Sequence, residues 1–256
     1  MLKLTKNNYF SPEADKQYVS QSQIKSFADC EEKALASLNG EYVREQSVGM
    51  LVGSYVDAYL DGTKALGVFK IEHPEIFTRQ GELKADFKQA EEIITRIESD
   101  KVFRKLLRGR RQVIMTGEIC GVPVKIKIDS LHKDKIVDGK VMKDLEDVWS
   151  DYDYAKVPWW RVYRYDWQAY VYQTIVFQNT GVRLPFILAV ATKEKGYDLR
   201  VFKFTQETID NAGKEIREIL PRIAALKAGK IKPDKCGNCD WCRAHRVVKK
   251  DTFEEL

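Results

Sequence analysis

The hydrophobic period of the sequence changes in the middle of the chain. Upstream, apolar residues recur at the helical period of about 3.6, whereas residues 113–119, 122–128 and 135–141 approach the alternation typical of strands. The turn-prone pair Cys120-Gly121 lies between the first two runs and predicts a β-hairpin. Three consecutive strands are therefore expected in the middle of the chain, and an all-helical fold is excluded.

Helices are predicted on both sides of these strands. One helix begins at Ser20 or Ser22, contains Cys30 and is ended by Asn39-Gly40. The other predicted helices are 46–61, 84–107 with a break near Ser99-Asp100, 161–178 and 206–227, and two further strands are 185–192 and 199–204. This order of elements predicts an α/β fold with a mixed central β-sheet flanked by helices.

The composition is that of a globular chain. Of its 256 residues, 44% are hydrophobic and 32% are charged, so residues 1–256 are expected to form a single domain around one core. No apolar run approaches the roughly 18 residues of a membrane span, and the first residues lack the apolar centre of a signal peptide. We therefore expect a cytoplasmic protein with no membrane association.

Positive charge is concentrated in two segments. The net charge of +5 permits a polyanionic partner without requiring one. Residues 103–111 carry a run of cations, and residues 156–164 alternate cations with aromatic side chains. Arg161 and Arg164 are candidates for contacts with DNA phosphates, and solvated helix ends are the alternative.

Two neighbouring predicted strands bring acidic and basic residues together. Asp129 follows one strand, and the next strand carries Asp138 and Lys140. Residues two apart on a strand share a face, so Asp138 and Lys140 project together, and strand pairing can bring Asp129 beside them. Carboxylates suit Mg²⁺, which makes an attacking water more acidic, and a lysine can orient that water. The group indicates phosphodiester hydrolysis, and a solvated hairpin edge is the alternative.

These residues resemble a known family. Asp129, Asp138-x-Lys140 and the later Gln168-x-x-x-Tyr172 look like the core of the PD-(D/E)XK nucleases, in particular the RecB-like branch and the phage-type exonucleases related to RecE. The resemblance implies a restriction-endonuclease-like core, with Mg²⁺ or Mn²⁺ bound by Asp129 and Asp138 and water oriented by Lys140. It also implies that Gln168 positions the catalytic lysine or the DNA. Tyr172 would lie along the DNA groove, and a capping glutamine and a core tyrosine are the alternatives.

Two further acidic candidates follow from the same resemblance. In the RecB-like branch an upstream helix contributes a metal ligand, usually histidine, after a Gly-x-x-x pattern, and Gly53-Ser-Tyr-Val-Asp57 carries aspartate there. Aspartate also binds Mg²⁺, so Asp57 is a candidate ligand, against the alternative of an acid on a helix surface. Glu118 resembles an additional acidic position of phage exonucleases and is a candidate for a second metal or its water.

Four of the five cysteines form a candidate metal site. Cys236, Cys239 and Cys242 are spaced closely enough to converge on one centre, and disulfides are not expected in a reducing compartment. In RecB-like nucleases a lone N-terminal cysteine, which Cys30 resembles, joins such a trio on a [4Fe–4S] cluster. The resemblance thus implies that the N-terminal helix is joined to the loop 236–242. A Zn²⁺ site is the main alternative, and free thiols are a lesser one.

The sequence therefore predicts a metal-dependent exonuclease that degrades linear double-stranded DNA. Phage relatives of this kind act with a single-strand annealing protein, so a role in recombination or repair is implied. The alternatives are an endonuclease with the same centre and a non-catalytic DNA-binding module that keeps the cysteine site. Rings are common among processive exonucleases, and a homo-oligomer is left open.

Overall fold

The computed structural model describes residues 1–43, 45–150 and 154–247, and the chain divides into two compact units. The first unit comprises Met1–Arg44, Glu118–Val124 and Glu215–Leu256, and the second comprises Glu45–Gly117 and Lys125–Lys214. That residues 1–256 form a single nuclease domain stays a prediction. In the described ranges, no helix combines the length and the apolar character needed to cross a membrane.

The secondary structure follows the predicted order of helices, strands, helices, strands and helices. The helices are α1 (Pro12–Gln17), α2 (Gln21–Asp29), α3 (Glu31–Asn39), α4 (Val48–Leu60), α5 (Thr63–Glu72), α6 (Ala85–Ser99), α7 (Lys101–Leu107), α8 (Trp159–Val162), α9 (Tyr165–Thr180), α10 (Gln206–Lys227) and α11 (Asp240–Ala244). The strands are β1 (Val19–Ser20), β2 (Arg110–Ile119), β3 (Val122–Leu131), β4 (Ile136–Met142), β5 (Val148–Ser150), β6 (Ala155–Val157), β7 (Phe186–Thr192) and β8 (Leu199–Lys203). A 3₁₀ turn at Pro74–Ile76 follows α5.

The second unit is built around a mixed sheet. β4 and β7 are parallel, β3 is antiparallel to β4, β8 is antiparallel to β7, and β2 pairs with β3. Parallel neighbours need a crossover connection, which contains α8 and α9. Helices α4, α6 and α7 pack on the sheet in one apolar core, and α9 packs on β7. The predicted α/β class, a mixed sheet flanked by helices, is confirmed.

Strand alternation divides the side chains of β4 between the two faces of the sheet. Val137 and Val141 face the apolar core formed with α4 and α6, so Asp138 and Lys140 point to the opposite face. In the parallel pair, the position of Asp138 is opposite the fully buried Leu188 of β7. The polar pair is thus set on a strand whose immediate neighbour is apolar.

Capping residues explain the helix boundaries that the sequence predicted correctly. Ser47 begins α4 by accepting a hydrogen bond from the N–H of Met50. Asp100 begins α7 by accepting from two N–H groups of the first turn, which confirms the predicted break at Ser99-Asp100. The bounds of α10 match the prediction even though Pro221 lies inside that helix.

Two helices predicted as continuous are interrupted by short breaks of one and two residues. The sequence places Cys30 inside a helix, but this residue has an extended backbone, with φ −166° and ψ 112°, and separates α2 from α3. Tyr163 and Arg164 separate α8 from α9, and Arg164 adopts the left-handed conformation, with φ 56°. Periodicity over the flanking helical residues does not reveal such short breaks. Helix α5 and the β5–β6 hairpin were not predicted.

Polar contacts within the first unit attach the segment after α10 to the start of α3. Nη2 of Arg222 lies 2.8 Å from Oε2 of Glu31, and the same oxygen accepts the N–H of Asp234 at 2.8 Å. The N–H of Glu32 donates to the carbonyl of Asp234 at 3.2 Å. These bonds hold the chain just before Cys236 beside the junction of α2 and α3.

Candidate active site and cysteine metal centre

Asp138 and Lys140 form an ion pair on β4. Lys140 Nζ lies 2.6 Å from Asp138 Oδ2, and Gln168 Nε2 on α9 donates to Asp138 Oδ1 at 2.6 Å. Asp138 is only 2% exposed, so neighbours rather than water fix both oxygens of this carboxylate. The contact of Gln168 is with Asp138, whereas the family resemblance implied a contact with the lysine or the DNA.

Asp129 on β3 lies beside this pair. The antiparallel register places Ser130 opposite Val137, and extending it by one residue places Asp129 opposite Asp138. Oδ2 of Asp129 accepts a hydrogen bond from the N–H of Gly139 at 3.3 Å. Strand pairing therefore brings the two aspartates together.

Asp57, on α4, is a third carboxylate beside Asp129 and Asp138. Burial raises the pKa of Asp57 to about 8, and the Asp129 carboxylate is a further cause. Burial also raises the pKa of Asp138 to about 7, although the charge of Lys140 opposes this shift. For Lys140, burial acts to lower the pKa, but the carboxylates of Asp138 and Asp129 raise it well above its usual value. Ionisation of all three aspartates would thus leave an excess of negative charge beside the lysine.

This donor set fits a hard divalent cation. Oδ2 of Asp138 makes its ion pair but no hydrogen bond within the described part of the chain, which leaves a lone pair for a metal. Mg²⁺ keeps several waters and takes one or two carboxylates directly, so Asp138 with one neighbouring aspartate is a sufficient set of protein ligands.

Tyr165, the first residue of α9, covers the ammonium group of Lys140. Lys140 Nζ lies 5.5 Å from the centroid of the Tyr165 ring, which is within cation–π range. The Tyr165 hydroxyl lies 3.6 Å from the sulfur of Met142. Burial raises the pKa of Tyr165 to about 12, so its phenol stays neutral. Tyr165 was not predicted as a site residue; the signal in the sequence was its place three residues before Gln168, on the same helix face.

The four predicted cysteines converge in the first unit. The Sγ atoms of Cys30, Cys236, Cys239 and Cys242 all lie within 4.8 Å of one another. The Sγ of Cys242 is 3.6 Å from that of Cys30 and 3.9 Å from that of Cys236. All four are free thiols. Four convergent sulfur donors match the ligand set of zinc or of an iron–sulfur cluster.

Backbone N–H groups donate hydrogen bonds to two of the cysteine sulfurs in the C-terminal loop. The N–H of Cys239 donates to Cys236 Sγ at 3.3 Å, and the N–H of Cys242 donates to Cys239 Sγ at 3.4 Å, where α11 begins. Burial acts to raise the pKa of Cys236, but the N–H donors of Cys239 and Asn238 lower it to about 7. The thiolate, which is the form that binds metal, is therefore accessible to Cys236 near neutral pH.

Residues 20–245 match the model of a protein family described as a PDDEXK-like domain of unknown function (DUF3799). The chain belongs to this PDDEXK-like family. The matched range contains the three aspartates, Lys140 and the four clustered cysteines. The resemblance to the PD-(D/E)XK superfamily that the sequence motif indicated is confirmed.

A solved structure shares the fold of this PDDEXK-like protein. It is the crystal structure of a protein from Eubacterium rectale that is described as a candidate exonuclease. The two chains are 46% identical, with a TM-score of 0.92 over 98% of this chain and 96% of the other. No curated protein matches the chain. The similarity in structure thus extends over nearly the whole of both chains.

The two arginines predicted to contact DNA have partners inside the PDDEXK-like protein. Arg164 is 5% exposed, and its guanidinium carbon lies 4.6 Å from the centroid of the Trp167 ring. Arg161 Nη1 lies 3.1 Å from Oδ2 of the buried Asp166. The buried Arg164 thus packs against the start of α9, which disfavours a contact with DNA, whereas the side chain of Arg161 keeps 23% of its surface exposed and its DNA contact stays a prediction.

Tyr172 is likewise part of the core. It is 8% exposed, its hydroxyl donates to the carbonyl of Lys127 at 3.1 Å, and its ring contacts Phe186 edge to face. This placement favours the alternative of a core tyrosine over a contact with DNA.

The run of cations in residues 103–111 is largely paired. Arg104 and Arg108 both form ion pairs with Glu98, and Arg111 pairs with Asp61 at 2.7 Å. The alternative of a solvated helix end therefore fits much of this segment, and ion pairs within the protein occupy three of its arginines. Partners on other elements are invisible to a count of charges along the sequence.

Glu118 is an exposed residue near the end of β2. It belongs to the first unit, whereas Asp57, Asp129 and Asp138 belong to the second. Its part in binding a metal or its water stays a prediction.

Proposed function

We propose that this PDDEXK-like protein is a divalent-metal-dependent exonuclease that acts on linear duplex DNA. The observation that carries the proposal is Asp138, a buried carboxylate that is bonded by Gln168 and paired with Lys140. Two more aspartates beside this pair complete the donor set of a metal-assisted phosphodiester hydrolase. Membership of the PDDEXK-like family and the likeness to the Eubacterium rectale candidate exonuclease support a nuclease.

The proposed ligands of Mg²⁺ or Mn²⁺ are Asp57, Asp129 and Asp138. The ion, when bound, neutralises charge on phosphoryl oxygens and makes a water molecule more acidic. Lys140 keeps 26% of its side chain exposed, so its ammonium group can orient the attacking water or stabilise charge that develops on the phosphate.

Digestion of end-labelled linear duplex DNA tests this proposal. The wild-type protein is expected to shorten the labelled strand in the presence of Mn²⁺ and to leave it intact in EDTA. Asp138→Asn and Lys140→Met are each expected to lower the rate at least about hundredfold, because each removes charge that acts on the transition state. Asp134→Asn is the matched control, since Asp134 is an exposed carboxylate that pairs with Lys135.

Cleavage that persists in EDTA, or in both variants, would contradict the proposed metal and lysine roles. Closed circular DNA separates the proposed exonuclease from an endonuclease with the same centre, because an exonuclease leaves the circle intact. DNA binding without cleavage by a folded protein, unchanged in Asp129→Ala, would instead support a non-catalytic DNA-binding module.

We propose a structural metal centre at the four cysteines. A single tetrahedral zinc ion would hold four thiolates ~3.8 Å apart. Here all four sulfurs lie within 4.8 Å of one another, and two of the pairs are separated by 3.6 Å and 3.9 Å. A [4Fe–4S] cluster gives each thiolate its own iron and separates the sulfurs further. The geometry thus favours Zn²⁺, whereas the family resemblance favours the cluster. Metal analysis and visible absorption of anaerobically purified protein decide between them.

The family resemblance also supplies a proposed partner. An exonuclease that leaves a single-stranded tail gives a substrate to a single-strand annealing protein, which places the activity in recombination or repair. Pull-down with such a protein tests the partner. A homo-oligomer and a cytoplasmic location stay predictions, which native mass measurement and cell fractionation test.

A further inference from the structure

Two residues one turn apart on α9 contact the two polar residues of β4. Gln168 donates a hydrogen bond to Asp138, and Tyr165, three positions earlier, lies over the ammonium group of Lys140. Residues three apart on a helix share a face, as do residues two apart on a strand. One face of α9 therefore contacts both members of the Asp138–Lys140 ion pair.

Two kinds of neighbour attract the ammonium group of Lys140. The carboxylates of Asp138 and Asp129 attract it by their charge, and the ring of Tyr165 attracts it by its π-electrons. Both carboxylates are proposed metal ligands, so a bound divalent cation would weaken their attraction for the lysine and would itself repel the ammonium. The Tyr165 ring is uncharged and is not a proposed metal ligand, so its attraction for the ammonium persists.

We propose that Tyr165 is a positioning residue, which keeps the ammonium group of Lys140 in the candidate active site while the aspartates bind a metal. This inference rests on the proposed nuclease function. A further carboxylate in the place of Tyr165 would offset the charge of the lysine and compete for the metal. A neutral ring holds the ammonium by a cation–π contact and leaves its full charge to act on the attacking water or the phosphate.

Buried neighbours fix the place of the Tyr165 ring. Its hydroxyl lies 3.6 Å from the sulfur of Met142, which is two positions after Lys140 on β4. The ring also contacts Trp159 edge to face, with centroids 5.9 Å apart and planes at 67°. Both neighbours are buried, so the ring has little freedom to turn away from the lysine. Because thioether sulfur is only a weak acceptor, we expect the ring of Tyr165 rather than its hydroxyl to matter.

The rate of DNA digestion with saturating Mn²⁺, resolved into kcat and KM, tests the positioning role. Tyr165→Leu removes the ring and is expected to lower kcat about tenfold with little change in KM, because the ammonium acts on the transition state. Tyr165→Phe keeps the ring and is expected to retain about half of the wild-type kcat or more. Tyr170→Leu is the matched control, since Tyr170 is also half-buried on α9 but its ring packs against Gly213. This control is expected to leave kcat unchanged.

A double-mutant cycle on stability tests the contact between ring and ammonium without catalysis. The equilibrium constant of unfolding is measured for the wild type, Tyr165→Leu, Lys140→Met and the double variant, first in EDTA and then with saturating Mn²⁺. The two substitutions are expected to be non-additive by about three- to tenfold in that constant, and the coupling is expected to persist with Mn²⁺. Tyr170→Leu combined with Lys140→Met is expected to be additive.

The two measurements separate failure of this inference from failure of the proposed function. Digestion by the wild type keeps the nuclease, and the positioning role is then overturned by an unchanged kcat in Tyr165→Leu or by an equal loss in Tyr165→Phe or Tyr170→Leu. Additive effects of Tyr165→Leu and Lys140→Met on stability would overturn it as well. A wild-type protein that cuts no DNA contradicts the nuclease, and the cycle still decides whether the Tyr165 ring holds Lys140.

Discussion

Gln168 Nε2 on α9 lies 2.6 Å from Asp138 Oδ1 on β4. Both residues are buried, so this bond joins a helix that flanks the sheet to the strand that carries the acidic group. A hydrogen bond to a charged group contributes about 1.5–3 kcal/mol. Gln168 therefore holds the Asp138 carboxylate in one orientation, with its other oxygen beside Lys140.

Replacing Gln168 by methionine is expected to slow DNA digestion at low concentrations of Mn²⁺. Gln168→Met keeps the approximate volume but removes the donor, so Asp138 loses its fixed orientation. We expect about tenfold slower DNA digestion at limiting Mn²⁺ and a higher Mn²⁺ concentration at half-maximal rate. Gln173→Met is the control, because Gln173 is also buried on α9 but donates to the carbonyl of Leu184. The same Mn²⁺ response in both variants would refute a positioning role.

The metal-free protein is expected to lose stability as pH rises toward 8. The pKa values of Asp57, about 8, and Asp138, about 7, lie above the usual value of about 4, so the folded state binds protons more tightly than the unfolded state. The stability that these groups contribute is therefore complete below about pH 4 and is lost as pH rises through 7 and 8. Thermal unfolding in EDTA at pH 6 and pH 9 measures the effect.

Asp57→Asn and added Mn²⁺ provide the controls for that measurement. The asparagine variant has no charge to bury and is expected to melt above the wild type at pH 9. Mn²⁺ is expected to raise the melting temperature more at pH 9 than at pH 6, since ionised carboxylates bind it. Two results would contradict the raised pKa values of Asp57 and Asp138. One is the same wild-type melting temperature in EDTA at pH 6 and pH 9, and the other is an Asp57→Asn variant that melts no higher than the wild type at pH 9.

Cys30→Ser is expected to lower both metal content and stability. It removes one of four convergent sulfurs and leaves an incomplete centre. A loss of about 3 kcal/mol would lower Tm by roughly 6–12 °C in a protein of this size. Cys120→Ser is the control, because Cys120 is exposed and outside the group. Equal metal content in wild type and Cys30→Ser would show that Cys30 is not a ligand.

Tyr172→Phe is expected to change stability and not DNA binding. The variant loses the hydrogen bond to the Lys127 carbonyl, which contributes about 1 kcal/mol, and keeps the buried ring. Denaturant unfolding measures the first effect and duplex anisotropy the second. Weaker duplex binding with unchanged stability would restore the DNA contact that the family resemblance implied.

Local patterns in the sequence were sufficient to predict strands β2, β3, β4, β7 and β8 and the pair of Asp138 and Lys140. Asp138 and Lys140 share a face because they are two apart on a strand, and that relation needs no tertiary information. The place of Asp129 needed one further assumption, the antiparallel pairing of β3 with β4, which the structure confirms. The mixed sheet followed from the order of elements.

Side-chain roles that depend on contacts with other elements could not be predicted from the sequence. The run of cations at 103–111 resembled a phosphate-binding surface because Glu98 and Asp61, which pair with its arginines, lie on other elements. Arg164 looked like a surface cation, but the left-handed turn before α9 places it over Trp167. Tyr165 was missed for the same reason, since its relation to Lys140 exists only once α9 lies over β4.

The extended residue Cys30 separates α2 from α3, and its sulfur meets that of Cys242, which is 212 positions later in the chain. During synthesis Cys30 therefore cannot meet Cys242 until the residues between them have been made. At about 5–20 residues per second, the interval is about 10–40 s. In the proposed metal centre, Cys30 must therefore stay reduced throughout that time, and the full set of four sulfur ligands can form only after residue 242 has been made.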